Sequence, residues 1–92
     1  MSEKDIKNET DHMEVGKFYF VNNKYDEAVA EFKKVLEVNP NNSEAYYNIG
    51  LIYETSNNID EAKKMYSKAL AINPDYKTAR EKLNKLIGLG DE

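Results

Sequence analysis

The sequence predicts an all-α protein made of two stacked, antiparallel helix pairs closed by a fifth helix. Three observations predict it. The chain repeats itself at a period of 34 residues. Inside each repeat, apolar residues return with the 3.6-residue period of a helix. Asparagine turns and prolines then interrupt the helices at matching places.

Displacing the chain by 34 residues brings Gly16 onto Gly50, Tyr19 onto Tyr53 and Asn23 onto Asn57. Asp26-Glu27-Ala28 meets Asp60-Glu61-Ala62, Leu36 meets Leu70, and Asn39-Pro40 meets Asn73-Pro74. About ten of the 34 places are identical, and others keep their character, as Val15 does with Ile49 and Phe32 with Tyr66. A single register with this much agreement divides the chain at 9–42 and 43–76, with 77–87 left for a last helix. Residues 1–8 and 88–92 read as flexible ends.

Each element follows from its residues. In the second unit Tyr46, Ile49, Gly50 and Tyr53 share one helical face, and Ala62, Met65, Tyr66, Ala69, Leu70 and Ile72 continue the pattern on a second helix. Ser56-Asn57-Asn58 separates them, since asparagine tolerates the left-handed conformation that closes a helix. Asp60 and Glu61 put negative charge on the next helix's first turn, where the dipole favours it. Pro74 restricts Asn73 and cannot continue the helix, so the helix stops there. The first unit has the same plan, with Asn22-Asn23 as turn and Pro40 as stop. In the last segment Ala79, Leu83, Leu86 and Ile87 form one apolar stripe, with Arg80, Glu81, Lys82 and Lys85 on the other sides. That is a capping helix, ended by Gly88 and Gly90.

The small residues predict close packing. Gly16 and Gly50, with Ala28 and Ala62, are expected where two backbones approach, and a larger side chain there would cost about 1–3 kcal/mol. Glycine within a helix itself costs about 1 kcal/mol against alanine, which close packing would offset. Tyr19, Phe32, Tyr53 and Tyr66 are expected to fill the space between helices, at about 1.5–3 kcal/mol each when buried.

These residues resemble the tetratricopeptide repeat: Tyr46-x2-Ile49-Gly50-x2-Tyr53, then Ala62-x3-Tyr66-x2-Ala69, then Pro74. The first unit matches through Val15, Gly16, Tyr19, Ala28, Phe32 and Pro40. It departs at His12, where the family prefers a large apolar residue, and at Val35, where it prefers a small one. The resemblance covers residue 9 to about 87. It implies a right-handed superhelical α-solenoid whose first helices line a concave surface used to bind proteins or peptides.

Composition narrows the function classes. Seventeen acidic and 13 basic residues give a net charge of −4, which argues against a general binder of nucleic acid or anionic membrane. There is no cysteine, so thiolate metal sites and disulfides are excluded. MSEKDIKNET contains no apolar run, so a cleaved secretory leader is not expected, and no stretch approaches the roughly 20 apolar residues of a membrane span. A cytoplasmic location is the expectation. No phosphate loop, HExxH or GxGxxG occurs. His12, the single histidine, falls at a helix-packing place and reads as structural. Neither catalysis nor a metal or cofactor is expected.

The side chains of the first helices that packing does not require should face the concave surface. In the first unit these are Met13, Glu14, Lys17, Phe20 and Val21, and in the second Tyr47, Asn48, Leu51, Glu54 and Thr55. The last helix adds Thr78, Lys82 and Lys85. The candidate groove is Met13, Lys17, Phe20, Tyr47, Asn48, Leu51, Lys82 and Lys85, in which Met13, Phe20, Tyr47 and Leu51 form an apolar stripe with a polar border. Phe20 and Val21 have a second place open to them, folded over the turn. The expected partner is a protein or peptide, and a monomer is expected over a homodimer. Two alternatives stand beside this reading. One is a structural or assembly unit, self-associating or designed, without a dedicated ligand. The other is a binder of acidic chaperone tails, which the resemblance implies only through Asn48 and Lys82, since Met13, Lys17 and Thr78 hold the other places of that clamp.

Overall fold

The computed structural model describes residues 3–88, with side chains from residue 7 onward. Among these residues the chain forms five helices: α1 (Glu3–Val21), α2 (Tyr25–Val38), α3 (Ser43–Thr55), α4 (Ile59–Ile72) and α5 (Lys77–Leu86). They pack as antiparallel pairs, α1 on α2 and α3 on α4, with α2 against α3 and α5 closing over α4. The result is an elongated slab of 46 × 28 × 16 Å.

The N-terminal boundary differs from expectation. Residues 3–8, expected as part of a flexible end, are helical and belong to α1. The stretch contains neither glycine nor proline, and extending an existing helix by one residue is far cheaper than nucleating a new one. Residues 1–2 and 89–92, the remainder of the two expected flexible ends, lie outside the described residues.

The turns use asparagine as the sequence predicts. Asn23 and Asn57 stand at φ +62° and +64°, the left-handed conformation that reverses the chain between paired helices. Asn42 caps α3, its Oδ1 accepting from the Ala45 N–H at 3.0 Å. Asn39 Oδ1 accepts from the Asn41 N–H, and Asn73 Oδ1 from the Asp75 N–H, so each Asn-Pro stop is also an asparagine turn.

The glycines do a different job from the one expected. What approaches Gly16 and Gly50 is an aromatic ring of the paired helix, not its backbone. A Cβ on Gly50 would lie 2.6 Å from Tyr66 Cε1, and one on Gly16 would lie 2.6 Å from Phe32 Cε1. Phe32 and Tyr66 are fully buried as a result.

The core runs along the stack. Met13, Ala28, Phe32, Val35, Ala45, Ile49 and Ile52 form one cluster across the first pair and α3. Ala69, Leu70 and Ala79 form a second, where α5 covers α4. The repeat register explains the ends. Ile49 and Ile52 are each 2% exposed because α2 covers them, whereas their first-repeat counterparts Val15 and Phe18 are 39% and 62% exposed. Val15 is therefore not the core residue that its match with Ile49 suggests. Ile87 departs from the expected capping stripe for the same reason. It is the counterpart of Tyr53, which packs against the first core cluster, and it is 46% exposed because no further helix follows α5 among the described residues.

Candidate functional site

Three rows of side chains cross from α1 through α3 to α5, each row related by the 34-residue register: Thr10, Glu44 and Thr78; Glu14, Asn48 and Lys82; Lys17, Leu51 and Lys85. Equivalent places on equivalent helices face the same way, so the rows lie on one surface. Beside them lies a cleft of about 290 Å³ between α1 and the start of α3, lined by Glu9, Thr10, Met13, Glu14, Lys17, Asn42 and Glu44.

The cleft walls are fixed by polar contacts between elements. Glu9 accepts hydrogen bonds from Asn39 Nδ2 at 2.8 Å and Asn42 Nδ2 at 2.7 Å, tying α1 to the α2–α3 loop. Lys17 Nζ lies 2.7 Å from Glu44 Oε2 across the cleft mouth. Both side chains are about half exposed, so the pair adds little stability and is available for exchange with a ligand charge.

The expected groove residues divide into two groups. Met13 was expected to be left over from packing and instead belongs to the core, 7% exposed, with one edge in the cleft. Asn48 is also buried at 8%, and its Nδ2 donates to Met13 Sδ at 3.7 Å. The flexible thioether fills the gap between α1 and α3, and the amide sits on it. Phe20 packs over the α1–α2 turn, its ring edge-on to Tyr25 at 6.0 Å, which is the second place open to it. Val21 is exposed at the same turn. Glu54 Oε1 accepts the Tyr66 hydroxyl at 2.7 Å, which commits it to its own helix pair. Thr55 donates back to the Leu51 carbonyl at 2.8 Å.

The remainder face outward or partly so. Lys17 and Lys85 are exposed, and Tyr47, Leu51 and Lys82 are half-buried. Tyr47 stacks between Tyr66 and Tyr76, with ring centroids 5.7 and 5.0 Å away. Burial, with the Glu44 carboxylate and Tyr47 nearby, pushes the Tyr76 phenol up to about 12, so it stays neutral at physiological pH. Burial and the Glu54 hydrogen bond push Tyr66 higher still. Sequence reasoning missed Glu9, Thr10, Asn42, Glu44 and Tyr76 as site residues. The register could have found Thr10 and Glu44 through Thr78, but Glu9 and Tyr76 come from loop contacts that no periodicity encodes.

His12 is placed as a structural residue. Its Nδ1 is 2.8 Å from Glu31 Oε1 on α2, and Lys34 Nζ is 3.1 Å from the other oxygen. The His12 hydrogen bond holds the Glu31 carboxyl below the usual range, against the opposing effect of burial, with Lys34 helping. Among the described residues, no group of three or more histidines and carboxylates could hold a metal, and no helix is long and apolar enough to cross a membrane.

Comparison with known proteins agrees with this architecture. A TPR repeat model matches residues 16–57, and a tetratricopeptide repeat model matches 43–76. No curated protein matches the sequence. Among solved structures, MamA superposes with a TM-score of 0.82 at 23% identity, over 88% of this chain and 49% of that one. YrrB, described as a TPR protein with an unusual peptide-binding site, gives 0.79 at 25% identity, over 84% of this chain and 40% of that one. The first TPR of Spaghetti (RPAP3), bound to the HSP90 peptide SRMEEVD, gives 0.60 at 20% identity, over 89% and 92%. The chain thus spans about half the length of MamA and less of YrrB. Two repeats in register, the α-solenoid stack and both family matches lead to one conclusion: the chain belongs to the tetratricopeptide-repeat family.

Proposed function

We propose that this chain is a non-enzymatic interaction module that holds a peptide or an extended protein segment against the surface formed by α1, α3 and α5. The observation that carries the reading is the row arrangement. Three equivalent helices present side chains that packing leaves free, Lys17, Leu51, Lys82 and Lys85 among them, beside a ready-made cleft. The peptide-binding site of YrrB, on a similar stack, supports it. A helical repeat keeps its packing residues while the facing side chains vary, so the fold alone does not name the ligand.

Acidic chaperone tails are a poorer fit. Of the two matching clamp residues, Asn48 is buried against Met13, which leaves Lys82 as the accessible one. A random-sequence peptide panel tests the main reading. A recruited motif that shifts the amide resonances of Lys17, Leu51 and Lys82 is the expected result. Absence of any selected motif, or shifts confined to α2 and α4, would refute it.

A further inference from the structure

One of the three rows changes charge from helix to helix. Glu14 on α1, Asn48 on α3 and Lys82 on α5 occupy the same place in the register. Around Glu14 the cleft is lined by two more carboxylates, Glu9 and Glu44, against one cation, Lys17, which Glu44 already neutralises at 2.7 Å. At the far end Lys82 is joined by Lys85, and α5 carries four basic residues against one acidic, Glu81. Among the described residues, Glu14, Lys82 and Lys85 take part in no ion pair. Between the two ends lies Asn48, a nine-tenths buried amide whose described hydrogen bond goes only to a thioether, a weak acceptor.

We infer that the groove is polarised and takes an extended segment of the opposite polarity, with a basic side chain entering the cleft between α1 and α3 and an acidic one lying over Lys82 and Lys85 on α5. The inference deepens the peptide-groove reading and rests on it. Each helix is about 10 Å across, so α1 and α5 stand on the order of 20 Å apart with α3 between them. An extended chain covers that span in about six residues. A uniformly acidic tail would set carboxylates against Glu9, Glu14 and Glu44, and like charges brought together at an interface select against the wrong partner.

Fluorescein-labelled heptapeptide pools with randomised interiors provide the test: Arg-x5-Asp, Asp-x5-Arg, Arg-x5-Arg and Asp-x5-Asp, read by anisotropy at low and physiological salt. One of the two mixed-charge pools should bind about tenfold tighter than either like-charge pool, and less so at high salt. The double exchange Glu14→Lys with Lys82→Glu should transfer the preference to the other mixed pool. Circular dichroism confirms folding, and Glu14→Gln with Lys82→Gln should weaken the preference without reversing it. Tightest binding of Asp-x5-Asp or Arg-x5-Arg, or a double exchange that leaves the preference unmoved, overturns the polarity while the groove reading stands. Failure of all four pools to bind overturns both.

Discussion

Gly50→Ala sets two known effects against each other. Alanine is the better helix former by about 1 kcal/mol, and an unpacked glycine in the middle of α3 would give that gain in full. The added Cβ, however, would lie 2.6, 2.8 and 3.2 Å from Tyr66 Cε1, Cδ1 and Cζ. The ring has nowhere to retreat. It is fully buried, Tyr47 stacks on it at 5.7 Å, and Glu54 holds its hydroxyl at 2.7 Å. Overpacking of this kind costs about 1–3 kcal/mol, and lengthening a hydrogen bond to a charged group adds to it. The expected net loss is about 1–2 kcal/mol, a visible share of the roughly 5–14 kcal/mol available to a domain of this size. Urea unfolding followed by circular dichroism at 222 nm measures it. In a Tyr66→Phe background, where the ring is untethered, Gly50→Ala should cost less, and the difference is the coupling. A Gly50→Ala protein as stable as its parent would show that ring contact does not constrain the glycine. Gly16→Ala meets three Phe32 ring atoms below 3.0 Å but should cost less, because among the described residues no helix lies on the far side of α1 to stop it tilting outward.

Other consequences are equally open to measurement. Ile49→Ala should destabilise by about 2–5 kcal/mol, whereas Val15→Ala at the same repeat place should change stability by no more than about 0.5 kcal/mol; equal losses would contradict the one-sided stack. Asn57→Ala, at φ +64°, should lower thermal stability by about 1 kcal/mol, while Asn57→Gly stays within a few tenths. Because His12 and Lys34 hold the Glu31 carboxyl below its usual value, its stabilising contribution is complete above the ordinary carboxylate range and is lost as the pH falls through that range and below it. Glu31→Gln should therefore flatten the acid side of the stability profile below about pH 4.5, and an unchanged slope would remove Glu31 from the account.

How much of this was legible beforehand depends on the range of the interaction. Asn23, Asn57, Pro40 and Pro74 act on their own backbones, so the turns and stops could be placed from the residues alone. The glycines were recognised, but what they accommodate was not, because a close approach has two partners and the sequence displays one. The proposed groove was drawn by elimination, and elimination failed where core and surface compete for the same face. Met13 and Asn48 occupy helix places that point toward the groove, yet the gap between α1 and α3 draws them inward. Phe20 has the hydrophobicity of a binding residue and spends it on Tyr25 across the turn.

The sequence by itself determined the period, the pairing of helices and the family, since all three rest on spacing and on conformational preferences local to a few residues. The tertiary structure decided which apolar residues are covered. Val15 and Ile49 satisfy the same pattern, and one is exposed and the other buried only because α2 lies on Ile49. It also decided the cleft, whose walls come from α1, α3 and a loop brought together by Glu9, Asn39 and Asn42. Burial is a property of neighbours, and periodicity fixes a residue's direction without saying what it will meet there.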